Sequence, residues 1–228
     1  MEGSRILVRG DLNSNIVIVH LGGEHDIENI DNIIKRIRIR AKRKDFAFAG
    51  IYISDWNKEM APWDMKPIFR GGEPFGGGAE SFYDYLIWQV LPGLDRMISP
   101  GEKKAYLLGG YSLAGLYSLW CGYRTDAFAG IAAVSPSLWF IHWDDHIKYH
   151  SFKCPRVYLS LGEKEPLVKN KTLRLVGERM QAQYSSLLLR LGAKRCTLEM
   201  NPGGHFDEPM ERMVKGYAKL LRYKDLLN

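Results

Sequence analysis

The stretch Leu107-Leu108-Gly109-Gly110-Tyr111-Ser112-Leu113-Ala114-Gly115 constrains this chain more than any other. An apolar run of strand character ends in Gly-x-Ser, and a helical pattern of small and apolar residues follows with no spacer. A strand that turns directly into a helix strains the residue at its corner, and a serine there carries its hydroxyl clear of the sheet edge. Helix and strand approach closely on either side, which leaves no room for side chains and accounts for Gly110 and Gly115. The usual pattern has glycine two residues after the serine. Ala114 stands there instead, small enough for the same approach. Ser112 read alone is also a good helix N-cap, so the turn gains meaning from what lies downstream.

Apolar runs alternate with helical patterns along the whole chain, which predicts an α/β fold with a mostly parallel sheet and helices on both faces. Strands are expected at Ile16–His20, Phe46–Ser54, Ala105–Gly109, Phe128–Val134, Arg156–Leu161 and Cys196–Met200. Helices are expected at Asp26–Lys44, Ala79–Met97, Ser112–Tyr123, Leu173–Leu191 and Glu208–Leu227. A loop rich in Trp, Pro and Gly spans Asp55–Gly78. With 228 residues, 46% of them hydrophobic, and no linker or repeat, residues 1–228 read as a single domain.

Two loops beyond Ser112 supply what a serine hydroxyl needs. A hydroxyl is a poor nucleophile until a base takes its proton, and a third group normally orients that base. After the strand Arg156–Leu161 comes Gly162-Glu163-Lys164-Glu165-Pro166, and after Cys196–Met200 comes Asn201-Pro202-Gly203-Gly204-His205-Phe206-Asp207. Serine, acid and histidine thus follow in the chain order used at the carboxyl edge of such sheets. Both Glu163 and Glu165 are open as the acid.

The segments Gly110-Tyr111-Ser112-Leu113-Ala114-Gly115, Ser135-Pro136-Ser137-Leu138-Trp139, Gly162-Glu163-Lys164-Glu165 and Gly204-His205-Phe206 resemble the esterase branch of the α/β-hydrolases, the group of enterochelin-type and esterase D-like enzymes. The resemblance covers over half of the chain. It implies an α/β-hydrolase sandwich with a short lid or pocket segment near residues 137–153, a Ser–His–acid hydrolase and no metal or organic cofactor. Little sequence precedes Ile16, so the first strands of the larger members are expected to be reduced. Carried over by position, Ser112 is the nucleophile, His205 the general base and acid, and Glu165 the acid, with Glu163 as its rival.

An oxyanion formed on attack needs two backbone donors. The N–H of Leu113 is one, and Gly22 or Leu21, in the turn His20-Leu21-Gly22-Gly23, is expected to supply the other. Trp56, Trp139 and Trp143 come from loop regions beside this edge and are expected to wall a substrate pocket. The expected activity is serine carboxylic ester hydrolysis on a small molecule. Thioester, amide or acyl-transfer chemistry at the same triad, and a non-catalytic binding protein on this scaffold, are the alternatives.

Other signals point elsewhere and are weaker. His142, His146 and His150 recur every four residues near Asp145, a spacing that zinc can use, but without an HExxH signature they read as part of a pocket helix. Gly71-Gly72 and Gly76-Gly77-Gly78 lack the Lys-Ser/Thr of a phosphate loop. The net charge of +6 is concentrated between Lys35 and Lys44, where isoleucines recur at helical spacing. That pattern is a solvated basic face more than a nucleic-acid or membrane surface. Cys121, Cys154 and Cys196 are too few and too scattered for a disulfide framework and read as free thiols of a cytoplasmic protein. No apolar run is long enough to span a membrane. Oligomeric state is not readable.

Overall fold

The computed structural model describes residues 5–227. The chain opens with strands β1 (Ile6–Gly10) and β2 (Ile16–Gly22), helices α1 (Glu24–Glu28) and α2 (Ile30–Ala41), and strand β3 (Ala47–Tyr52). A short helix α3 (Trp56–Glu59) and a small hairpin, β4 (Asp64–Met65) with β5 (Phe75–Gly76), precede α4 (Ala79–Tyr85) and α5 (Leu91–Met97). Then follow β6 (Ala105–Tyr111), α6 (Leu113–Arg124), β7 (Phe128–Val134), α7 (Trp143–Tyr149), β8 (Val157–Gly162), α8 (Lys171–Leu191), β9 (Cys196–Asn201) and α9 (Pro209–Leu221).

The main sheet has the order β1-β3-β2-β6-β7-β8-β9. All neighbours pair in parallel except β1, which lies antiparallel on β3 at the edge. This is the expected α/β-hydrolase-type architecture. Burial explains the apolar character of the central strands: every residue of β2 is buried, as is all of β6 before Tyr111. One face packs α4, α5, α6 and α8 against Leu108, Ile131 and Leu159. The other packs α2 and α9 against Ile18, Leu107 and Tyr158.

Several details differ from the sequence reading. The strand β1 was not expected: it is only partly buried and ends in Arg9 and Gly10, so it carries little apolar signal. The single helix expected over 26–44 is two, interrupted at Asn29, whose φ of −94° and ψ of 10° lie outside helical geometry. The helix expected over 79–97 contains a π-helical turn at Leu86–Val90 just before Pro92. Proline has no N–H for the carbonyl four residues back and clashes with it, and a widened turn relieves both problems. The stretch 55–78 holds α3 and the β4–β5 hairpin.

The basic face of α2 is largely engaged within the molecule. Arg36 and Arg40 both pair with Glu211 of α9, and Arg43 pairs with Asp45. Ile30, Ile33, Ile34 and Ile37 are buried on the opposite side. No helix of the described residues is long and apolar enough to cross a membrane. The three cysteines are buried and unpaired.

Candidate active site

The sheet order reverses direction between β2 and β6, and in open α/β sheets such a switch point opens a crevice at the carboxyl edge. Register carries five turns to that edge. Leu21 pairs with Gly110, Tyr111 with Val134, Val134 with Ser160, and Gly162 with Asn201. The segments that follow β2, β6, β7, β8 and β9 therefore emerge side by side.

Ser112 sits at the corner between β6 and α6 with φ 58° and ψ −119°, a strained conformation for a residue with a side chain. Its amide donates to Val134 O at 3.0 Å, which ties the corner to the tip of β7. Close packing surrounds the turn. A Cβ at Gly115 would meet Gly110 O at 3.0 Å and Val134 O at 3.1 Å, and one at Gly110 would meet the Ala114 methyl at 2.5 Å.

His205 Nε2 lies 2.9 Å from Ser112 Oγ, and its Nδ1 lies 2.8 Å from Glu165 Oε2. The structure thus brings Ser112, His205 and Glu165 into one hydrogen-bonded chain. Glu163 is exposed, and its amide donates to Asn201 O. Glu165 is 4% exposed and begins a 3-10 turn (Glu165–Leu167). Burial by itself pushes its carboxyl up. The hydrogen bond and charge of His205, the Gly162 amide and the Ser135 hydroxyl outweigh burial and hold the group below the ordinary carboxylate value. Glu165 is therefore held as an anion beside the His205 ring.

Two residues at this site escape the sequence reading. Ser137 is buried, its Oγ is 3.2 Å from Ser112 Oγ, and its amide donates to Ser112 O. Arg212 of α9 is also buried and donates to Glu165 Oε1, Ser135 Oγ, Tyr111 Oη and the carbonyls of Pro202 and Gly204. The only hint of it in the sequence is one arginine beside Met213, Val214 and Tyr217 on an otherwise apolar stripe. Tyr111 Oη donates in turn to His205 O at 2.6 Å. Burial raises the Tyr111 phenol despite its hydrogen bonds, so it stays protonated and able to donate.

The amide of Leu113 opens α6, where the first-turn N–H groups have no partner inside the helix. Gly22 ends β2 next to this turn and is buried. Glycine is required there for packing: a Cβ would meet Asp26 Cβ at 2.7 Å and His20 Nε2 at 2.8 Å. The neighbouring Gly23 amide is occupied by Asp26 Oδ2 at 3.1 Å. Leu21 lies within the sheet, flanked by Ile51 and Gly110. Below the turn, burial lowers the proton affinity of His20 against the opposing charge of Asp26. Its Nδ1 meets Tyr217 Oη at 3.0 Å.

The three tryptophans fare differently. Trp139 is half-buried, two residues after Ser137, and its ring lies 5.8 Å from that of Phe75. Trp56 is the first residue of α3, half-buried against the core. Trp143 corrects the expectation of a pocket wall. It is 0% exposed, stacks with Trp63 and donates its indole N–H to Gln183 Oε1 at 3.1 Å, so it is core. The loop before it is held by Arg179, which donates to Leu138 O and Phe140 O.

His142, His146 and His150 do not converge on a common point: His146 and His150 stack at 4.3 Å while His142 faces Asp145. Among the described residues no group of three or more His, Cys, Asp or Glu side chains is placed to hold a metal ion.

The fold and this corner define the chain as having the α/β-hydrolase type of structure. No family model matches the sequence, and no curated protein aligns with it significantly. Solved structures do. An IroE-like serine hydrolase from Shewanella oneidensis superposes with a TM-score of 0.75 at 16% identity, covering 95% of this chain and 75% of that one. The siderophore hydrolase EstA from Aspergillus nidulans superposes with a TM-score of 0.71 at 20% identity, covering 92% and 83%. The enterobactin and salmochelin hydrolase IroE gives 0.65 at 13%, covering 97% and 91%. At these identities the likeness establishes the fold.

Proposed function

We propose that the protein is a serine carboxylic ester hydrolase that works through an acyl-enzyme. The observation that carries this reading is the chain Ser112 Oγ–His205 Nε2, 2.9 Å, and His205 Nδ1–Glu165 Oε2, 2.8 Å, at the corner after β6. His205 takes the Ser112 proton as Oγ attacks the ester carbonyl, and Glu165 stabilises the imidazolium that forms. The amides of Leu113 and Gly22 receive the oxyanion. His205 then protonates the departing alkoxide, and a water activated by the same imidazole releases the acid and restores Ser112.

A small-molecule ester suits the setting. Phe206 is 89% exposed with its ring 5.1 Å from that of His205, and half-buried Trp139 follows Ser137 by two residues, so apolar side chains are available near Ser112. The structural neighbours named as siderophore hydrolases support esters as the substrate class. The test is covalent labelling by a fluorophosphonate, read by intact mass. Wild type acquires one adduct on Ser112, and p-nitrophenyl ester turnover disappears in S112A. Folded wild type that neither labels nor turns over esters rejects the reading. Parallel assays with thioesters and anilides separate ester hydrolysis from the other acyl-transfer chemistries that a triad supports.

A further inference from the structure

Arg212, in the first turn of α9, is 1% exposed. A buried guanidinium is unfavourable unless its hydrogen bonds are met by well-placed partners. Here the two terminal nitrogens are met, while Nε is buried without a partner among the described residues, and the partners come from every segment that carries the Glu165–His205 pair. Nη1 donates to Glu165 Oε1 at 3.2 Å, to Ser135 Oγ at 3.1 Å and to Tyr111 Oη at 3.2 Å. Nη2 donates to Pro202 O at 2.9 Å and to Gly204 O at 2.8 Å, in the loop that leads into His205. The turn bearing the acid closes directly on this fork. A Cβ on Gly162 would lie 2.9 Å from both Arg212 Nη1 and Gly204 O.

We propose that Arg212 is a positioning residue for the triad: its planar fork locks the acid turn and the histidine loop in one register and holds Glu165 opposite His205. The inference rests on the serine-hydrolase reading above. A lysine lacks the geometry for the role, because it is a point charge on a flexible stem, whereas the guanidinium donates in two fixed directions at once. Glu165, His205, Tyr111 and Asp207, whose Oδ2 accepts from the Gly204 amide at 2.6 Å, are the titratable groups that meet the fork or its partners from β6, the acid turn and the histidine loop. On α9, Glu211 is turned to Arg36 and Arg40, and Lys215 pairs with Glu199. Glu163 and Lys164 are exposed and join the site through backbone amides, to Asn201 O and Gly203 O. Arg212 is the arginine that meets Glu165 directly, Nη1 to Oε1 at 3.2 Å.

Steady-state kinetics of R212M and R212K across pH test this, with active sites counted by fluorophosphonate titration. R212M is expected to lose about 10²-fold in kcat with little change in KM, as for a misplaced catalytic group. Without the cation the proton affinity of the Glu165–His205 pair rises, so the acid limb of kcat/KM moves to higher pH. R212K is expected to hold that limb near its wild-type place while recovering only part of kcat. Wild-type kcat per titrated site in R212M overturns the proposal, as does an acid limb that stays in place. Should R212M not fold, full kcat in R212K overturns it equally.

A second readout is independent of turnover. The hydrogen-bonded Nδ1 proton of His205 is expected as a strongly downfield resonance in wild type that shifts or broadens away in R212M. A wild type that shows this proton but cleaves no ester rejects the proposed function and leaves the positioning role standing. An unchanged resonance in folded R212M removes that role instead.

Discussion

The methyl group of Ala114 lies 2.5 Å from the point where a side chain on Gly110 would begin, across the corner that holds Ser112. The two positions divide one small volume between them. The usual motif leaves glycine on the helix side of this turn; here the helix carries the methyl group, so the strand residue must have none. G110A is expected to destabilise the fold by at least about 1–3 kcal/mol, the range for overpacking in a tight site. Adding A114G recovers only part of that loss, because the new Cβ still meets the backbone of residue 114 at 2.8 Å and 3.0 Å. Denaturant unfolding of the single and double variants checks both statements.

Glu165 and Glu163 offer a direct comparison within one turn. E165Q keeps the side chain's size but removes the charge facing His205 Nδ1, where the distance is 2.8 Å. Its kcat is expected to fall toward the roughly 10⁴-fold seen when a triad acid loses its charge and the imidazole tautomer is reversed. E163Q, altered at an exposed side chain, is expected to stay within about twofold of wild type, as for surface changes away from the site. Equal losses in the two variants, measured on a p-nitrophenyl ester, contradict this assignment.

How much of this was legible beforehand follows from what leaves a local trace. The corner at Ser112 writes itself into small residues at fixed offsets, and buried parallel strands such as β2 and β6 write themselves into apolar runs. The loops that carry Glu165 and His205 are legible because each follows its strand by a short turn, but spacing leaves Glu163 open beside Glu165, and only the fold, which buries Glu165 and exposes Glu163, separates the two. Arg212 leaves almost no trace in the sequence, since its partners come from four separate segments. The sequence cannot place Trp143, because a tryptophan in a loop looks the same whether its ring faces a cleft or, as here, packs on Trp63 with its N–H satisfied by Gln183. The edge strand β1 leaves no apolar run, for want of a buried face.

W143A removes a fully buried ring and a buried N–H···O contact, so it is expected to cost about 3–5 kcal/mol of stability. W139A, at a half-buried position two residues from Ser137, is expected to be milder on stability and to raise KM for bulky aryl esters more than for acetate esters. Thermal melts together with kcat and KM on an acyl series separate the two. A selective KM effect in W143A with an unchanged melt would return that ring to the pocket wall.

His146 links stability to pH. It packs between Trp143 and Tyr123 and is 8% exposed. Burial, helped by the nearby charges of His150 and Arg124, lowers its pKa to about 4 from the ordinary 6.5. Between those two values the unfolded chain binds a proton at this position that the folded protein refuses. Acid therefore favours unfolding through His146 over that window: its share of the stability is complete above about pH 6.5 and falls away as the pH drops toward 4. H146Q, which has no titrating group, is expected to flatten the dependence of Tm on pH between about 4 and 6.5 while lowering Tm at neutral pH through lost packing. Melting curves at pH steps across the window check it. A wild-type Tm profile that H146Q leaves equally steep would place the acid sensitivity on other groups, and the buried neutral imidazole would then carry none of it.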